Sequence, residues 1–120
     1  MVLVDTSVWI DHLRKKDTKL FELLHEGEVC IHPFVIGEIA CGNIINRTEI
    51  LRLLKALPEV LAATDDEVLH FIENHKLFGK GIGYIDVHLL ASSFINKVTF
   101  WTKDKRLSAI YSKLNLNQKI

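Results

Sequence analysis

Two cysteines in 120 residues, Cys30 and Cys41, are too few for a disulfide-stapled fold, and without a CxxC pair there is no zinc ribbon. Both stand in apolar surroundings, which reads as two buried thiols in a reducing cytoplasm. No apolar run approaches the about 18 residues of a membrane span. Charge of one sign is not in excess: fifteen basic residues balance fifteen acidic ones. The chain is therefore no bulk polycation, and any nucleic-acid contact must come from a local basic patch. A basic leader is also missing, since Met1-Val2-Leu3-Val4 runs straight into Asp5, which argues against a signal peptide. No repeat, low-complexity tract or long linker divides the chain, so residues 1–120 are expected to form one domain. A hydrophobic share of 48% is enough to build a core without staples.

What is there alternates between two periodicities. Val2-Leu3-Val4 is a short apolar run, as for a strand buried on both faces. Asp5-Thr6-Ser7 supplies cap candidates for a helix to about Lys15. A second helix from about Asp17 carries Leu20, Leu23 and Leu24 and stops at Gly27. Val29-Cys30-Ile31 predicts a strand, and Pro33 the first turn of a helix towards Gly42. Ile50, Leu51, Leu54 and Leu57 mark a helix closed before Pro58; Val60 to Ala63 is a weak strand candidate. Asp65-Asp66-Glu67 places negative charge where a helix start favours it. The loop Gly79 to Gly83 precedes an apolar helix to about Ile95, then Val98 to Trp101 predicts a strand and Lys105 to Leu114 a helix. Strands alternating with helices predict an α/β fold with a central parallel sheet covered on both faces.

Most acids lie in polar stretches, but four do not. Asp5 ends the first strand; Asp104 follows the last. Glu38 is the only formally charged residue between His32 and Arg47, and Asp86 the only one between Lys80 and Lys97. Carboxylates are rarely buried without a partner. In an open parallel sheet, ligands gather beyond the carboxyl ends of the strands. Asp5 and Asp104 stand at such ends, Glu38 lies one turn into a helix leaving the same edge, and Asp86 is in the first turn of its helix. Each acid alone could be a cap or an exposed side chain. Together they would repel, by about 4 kcal/mol for a pair ~4 Å apart at an effective dielectric near 20. A cation relieves that repulsion, and hard oxygen donors select Mg2+ or Mn2+.

Asp5-Thr6-Ser7-Val8-Trp9-Ile10, Glu38 in a short apolar helix, Gly83-Tyr84-Ile85-Asp86-Val87-His88-Leu89-Leu90-Ala91, and Thr102-Lys103-Asp104 with Leu107 resemble the signatures of the PIN domain. The similarity spans nearly the whole chain and is closest to VapC-type toxins of prokaryotic toxin–antitoxin modules. Ser93 stands where such sequences more often have Ala, in what is expected to be a packing position. The resemblance implies a three-layer α/β/α fold, Mg2+- or Mn2+-dependent endoribonuclease activity, a homodimer, and a cognate antitoxin (VapB-like) that occludes the site. It makes Asp5 and Asp86 the principal metal ligands, with Asp104 completing the pocket and Glu38 orienting a metal-bound water. Ser7 and Thr102 would fix the carboxylates by hydrogen bonds. Metal-activated water would attack the RNA phosphodiester, tRNA or ribosomal RNA, leaving a 5′-phosphate and a 3′-hydroxyl.

Lys103, Lys105 and Arg106, flanking Asp104, are candidates to hold RNA phosphates, with Lys76 and Lys80 weaker ones. The glycine loop is no phosphate loop, because Gly81 and not Ser or Thr follows Lys80. Trp9 and Trp101 are expected to pack rather than stack on bases, and no histidine has a catalytic place. Two rivals remain open: a non-catalytic PIN-like RNA-binding module, and a receiver-type signalling domain. The receiver needs paired acids after the first strand, where only Asp5 stands.

Overall fold

The computed structural model describes residues 1–118. Its elements run β1 (Val2–Val4), α1 (Thr6–Arg14), α2 (Thr18–His25), β2 (Val29–Cys30), α3 (Pro33–Cys41), α4 (Arg47–Lys55), α5 (Asp65–His75), α6 (Tyr84–Ile95), β3 (Thr99–Trp101) and α7 (Lys105–Gln118). The strands form one parallel sheet in the order β2-β1-β3. Val2 is in register with Val29 and Thr99, and Val4 with Trp101. The first strand in sequence is thus the central one.

Successive side chains of a strand point to opposite faces. Leu3 and Val4 are adjacent on β1 and both have no exposed surface, so both faces of the sheet are covered. One cover comes from α1 to α4, through Val8, Trp9, Leu20, Val35, Ile39 and Leu54. The other comes from α5 to α7: Leu89, Leu90 and Leu107 reach the same core, and a second cluster of Val68, Leu77, Val87, Ala91 and Leu114 ties those helices together. Burying each Leu or Val stabilises the fold by about 1.5–3 kcal/mol. This is the expected layered α/β architecture.

Local chemistry sets the helix limits. Asp17 accepts from the Leu20 N–H at 3.0 Å to open α2, and Gly27, at φ +70°, closes it in a conformation L side chains rarely adopt. Thr64 and Glu67 form a reciprocal capping box at the start of α5.

Three expectations need correction. Val60 to Ala63 is not a strand. Only a parallel bridge between Ile31 and Glu59 reaches towards the sheet, and the segment then runs along α6 instead. There Ser92 Oγ accepts from the Ala63 N–H, and Asn96 pairs with both backbone groups of Leu61, so side chains of α6 replace a sheet ladder. Cys41, expected to be buried, is exposed at the end of α3, while Cys30 is buried in β2. The last helix continues past Leu114 to Gln118. Ser93 is buried and its hydroxyl donates to the Leu90 carbonyl, as suits a packing position. Trp9 is likewise a core residue.

Candidate active site

The first acid is positioned by the sheet itself. The Asp5 N–H donates to the Trp101 carbonyl at 2.8 Å, one step beyond the β1–β3 register, which sets Asp5 beside Thr102. The Asp5 side chain is only 6% exposed. Its Oδ2 accepts from the Thr102 hydroxyl at 2.7 Å and from the Ser7 hydroxyl at 2.9 Å, the kind of charge-assisted bond that holds a carboxylate in one orientation. The network continues outward: the Lys103 N–H donates to Ser7 Oγ and the Asp104 N–H to Thr102 Oγ1, each at 3.1 Å. Asp104 then opens α7, its Oδ1 accepting from the Leu107 N–H at 2.9 Å.

Asp86 sits in the first turn of α6, where its Oδ2 accepts from the Gly83 N–H at 3.1 Å. Burial raises its pKa above the ordinary carboxylate range; the Gly83 bond opposes that, and the charges of Asp5 and Asp104 raise it further. Those two charges acting on Asp86 bring β1, β3 and α6 to one locality. Glu38 reaches the same edge from α3: the Thr6 hydroxyl, next to Asp5 in sequence, donates to its Oε1 at 2.7 Å.

A common pattern joins the four acids. One oxygen of each is fixed by a donor of the protein, and the other is unengaged among the described residues: Asp5 Oδ1, Glu38 Oε2, Asp86 Oδ1 and Asp104 Oδ2. None of the four forms an ion pair among the described residues. No group of three or more His, Cys, Asp or Glu side chains closes into a cage there either. The donor set is all oxygen and carries four formal negative charges, which suits a hard divalent cation and not zinc. The charges of Asp5 and Asp104 both bear on Asp86, and these three are the acids that would hold such an ion.

The basic residues near Asp104 are differently placed from one another. The Lys103 ammonium is shared between Asp11 at 3.2 Å and Asp17 at 3.0 Å, fastening this loop to α1 and to the start of α2. Those carboxylates hold its pKa above the ordinary lysine value. Arg106 donates to the Gly81 carbonyl at 3.3 Å, and Lys105 has no partner among the described residues.

Sequence reasoning saw Thr6 only as a cap candidate for α1 and missed its bond to Glu38. It also missed the end of β2, where His32 has no exposed surface and caps α3, its Nδ1 accepting from the Phe34 N–H at 2.9 Å. Burial, with the nearby His88, lowers its pKa to about 4, so it is neutral at pH 7. His88, buried on α6, bonds Asp65 through Nε2 at 3.0 Å, and Tyr84 donates to the same Asp65 oxygen at 2.7 Å. The rings of Phe34 and Tyr84 pack edge-on against His88 at 4.8 and 4.7 Å, joining α3 to α6. The only advance signal was a histidine directly before the proline that starts α3.

Comparison with known proteins agrees with this geometry. A family model described as PIN domain matches residues 2–113. Ribonuclease VapC32 of Mycobacterium tuberculosis, in strain CDC 1551 / Oshkosh and in strain ATCC 25618 / H37Rv, is 46% identical over 110 residues, covering 91% of this chain and 89% of the relative. A match of that extent, on a parallel α/β fold that sets four separated acids at one sheet edge, shows that the chain belongs to the PIN domain family, in the group that includes VapC32.

Proposed function

We propose that this protein is a Mg2+- or Mn2+-dependent endoribonuclease, the toxin of a toxin–antitoxin pair, acting on tRNA or ribosomal RNA in the cytoplasm. The observation that carries the reading is the half-engaged state of every acid at the edge. A carboxylate serving only as a cap has no need of three neighbours with open oxygens. A set that must take up a cation needs each group held by one oxygen and open at the other. The name of the relative VapC32 as a ribonuclease supports the same reaction.

In this reading Asp5 and Asp86 would hold the ion, with Asp104 as a third ligand. Ser7 and Thr102 keep the Asp5 carboxylate from turning inward. Thr6 holds Glu38 so that its free oxygen can orient the attacking water. A bound divalent ion supplies charge to the scissile phosphate and acidity to water. Since water and not the ribose 2′-hydroxyl attacks, the products end in a 5′-phosphate and a 3′-hydroxyl.

The partners follow from the same reading. A cognate antitoxin covers the acid edge, and a homodimer forms through apolar side chains left exposed beside it, such as Phe34 and Tyr84. Among the described residues no helix is long and apolar enough to cross a membrane.

The test is incubation of the purified chain with total cellular RNA, with Mg2+, with Mn2+ and with a chelator, followed by mapping of the cut ends. Cleavage that needs the metal and leaves 5′-phosphates is expected. Products ending in a 2′,3′-cyclic phosphate would refute the mechanism.

A further inference from the structure

The acid edge poses a problem for a polyanionic substrate. It concentrates negative charge without a cationic side chain paired to it among the described residues, so the affinity for a phosphodiester strand must be supplied elsewhere. Several other cations are committed: Lys103 to Asp11 and Asp17, Arg52 to Glu49, Lys16 over the Phe21 ring and Lys19 over the Trp101 ring. One open cleft, of about 560 Å³, is lined by three lysines. Lys76 and Lys80 approach from the turn after α5, and Lys113 from α7, with Asn74 and His75 beside them. No carboxylate lines this cleft, and its three lysines form no ion pair among the described residues.

The cleft is linked to the acid edge through the loop that follows Lys80 and through α7. Lys80 precedes Gly81, whose carbonyl accepts from Arg106, and Arg106 is two residues beyond Asp104. Gly81, at φ +77°, leaves no room for a Cβ under the Arg106 guanidinium, so this crossing is close-packed. On the other side of the loop Gly83 holds Asp86. Along α7, Arg106, Ile110 and Lys113 follow one face, and the helix rises about 10 Å from Arg106 to Lys113. A cationic path thus leaves the acids at Arg106 and enters the cleft.

We propose that the cleft bounded by Lys76, Lys80 and Lys113 is the track for the sugar–phosphate backbone of the RNA strand, flanking the bond that is cut. The inference rests on the ribonuclease reading and adds where the strand runs. Ammonium groups contact phosphates as point charges and carry no sequence information, so the track supplies affinity and register, not specificity.

The test pairs binding with cleavage. Lys80→Gln/Lys113→Gln, both at exposed positions, is compared with Lys55→Gln on α4 as a control. Binding of a fluorescent single-stranded RNA oligonucleotide is measured across salt concentrations in an Asp86→Asn background, and cleavage kinetics in the parent. The double variant is expected to weaken binding and to flatten the dependence of log K on log salt by about 0.7 per lysine removed. KM should rise with kcat little changed, and Lys55→Gln should leave both measurements as they were. An unchanged salt slope overturns the proposal. So does capture of poly-glutamate that the double variant loses while RNA binding stays intact, since the cleft would then serve an acidic protein. The binding arm reads the cleft even if the parent cuts no RNA, and that result would refute the ribonuclease reading separately.

Discussion

Two polar centres stand at the same end of the sheet and are treated in opposite ways. Beyond β1 and β3, four carboxylates each keep one oxygen open. Beyond β2, His32 and His88 are turned inward among aromatic rings, at 0% and 2% exposure. The difference follows from what each group can do with its charge. An imidazole sheds its proton near neutrality, so it can be buried neutral, as the lowered pKa of His32 reflects. A carboxylate at pH 7 cannot, and burying several unpaired ones would cost several kcal/mol each. The chain therefore leaves the acids where a cation can reach them and uses the histidines to join α3, which carries Glu38, to α6, which carries Asp86.

If that division holds, changes at the acids should alter activity and spare stability, and changes at the histidines should do the reverse. The largest effect is expected from Asp5→Asn or Asp86→Asn: loss of RNA cleavage by roughly 1000-fold or more, about 4 kcal/mol in the barrier. Their melting temperatures should be close to that of the parent, as read by calorimetry. Thr102→Val keeps the shape but removes the donor to Asp5 Oδ2, and a 10- to 100-fold loss in kcat/KM is expected, about the usual effect of freeing a ligand's supporting bond.

On the other side, His32→Ala should lower unfolding stability by about 2–4 kcal/mol in urea titrations, through the lost cap and the cavity left behind. His32→Asn, which can still cap α3, should recover part of it. The parent should also lose stability as pH falls from 6.5 towards about 4. In that window unfolded chains take up a proton that folded His32, facing His88 and its partner Asp65, refuses; the slope is at most about 1.4 kcal/mol per pH unit. His32→Asn should lack this part of the pH dependence. The smallest effect is expected at the exposed pair of Glu49 and Arg52 on α4, where Arg52→Gln should leave cleavage and melting unchanged.

Much of this was legible in the sequence, for physical reasons. Isolated acids in apolar segments are costly to bury, so their position at strand ends and helix starts pointed to Asp5, Glu38, Asp86 and Asp104. The three strands and seven helices among the described residues follow from apolar runs and caps. What stayed hidden depended on contacts across the chain. Val60 to Ala63 is strand-like in composition, but its backbone partners are the Ser92 and Asn96 side chains about 30 residues on, which no local pattern reveals. Cys41 lies in an apolar stretch yet falls on the outer face of the last turn of α3. Lys103 is next to Asp104 in sequence, but Asp11 and Asp17 draw it away from the acid edge.

The most direct test of the division is Mn2+ binding by titration calorimetry to three chains: the parent, Asp86→Asn and His32→Asn. The parent should bind Mn2+, Asp86→Asn should bind at least about 10-fold more weakly, and His32→Asn should match the parent. Equal affinity in the parent and Asp86→Asn, or an equal loss in His32→Asn, would contradict the account.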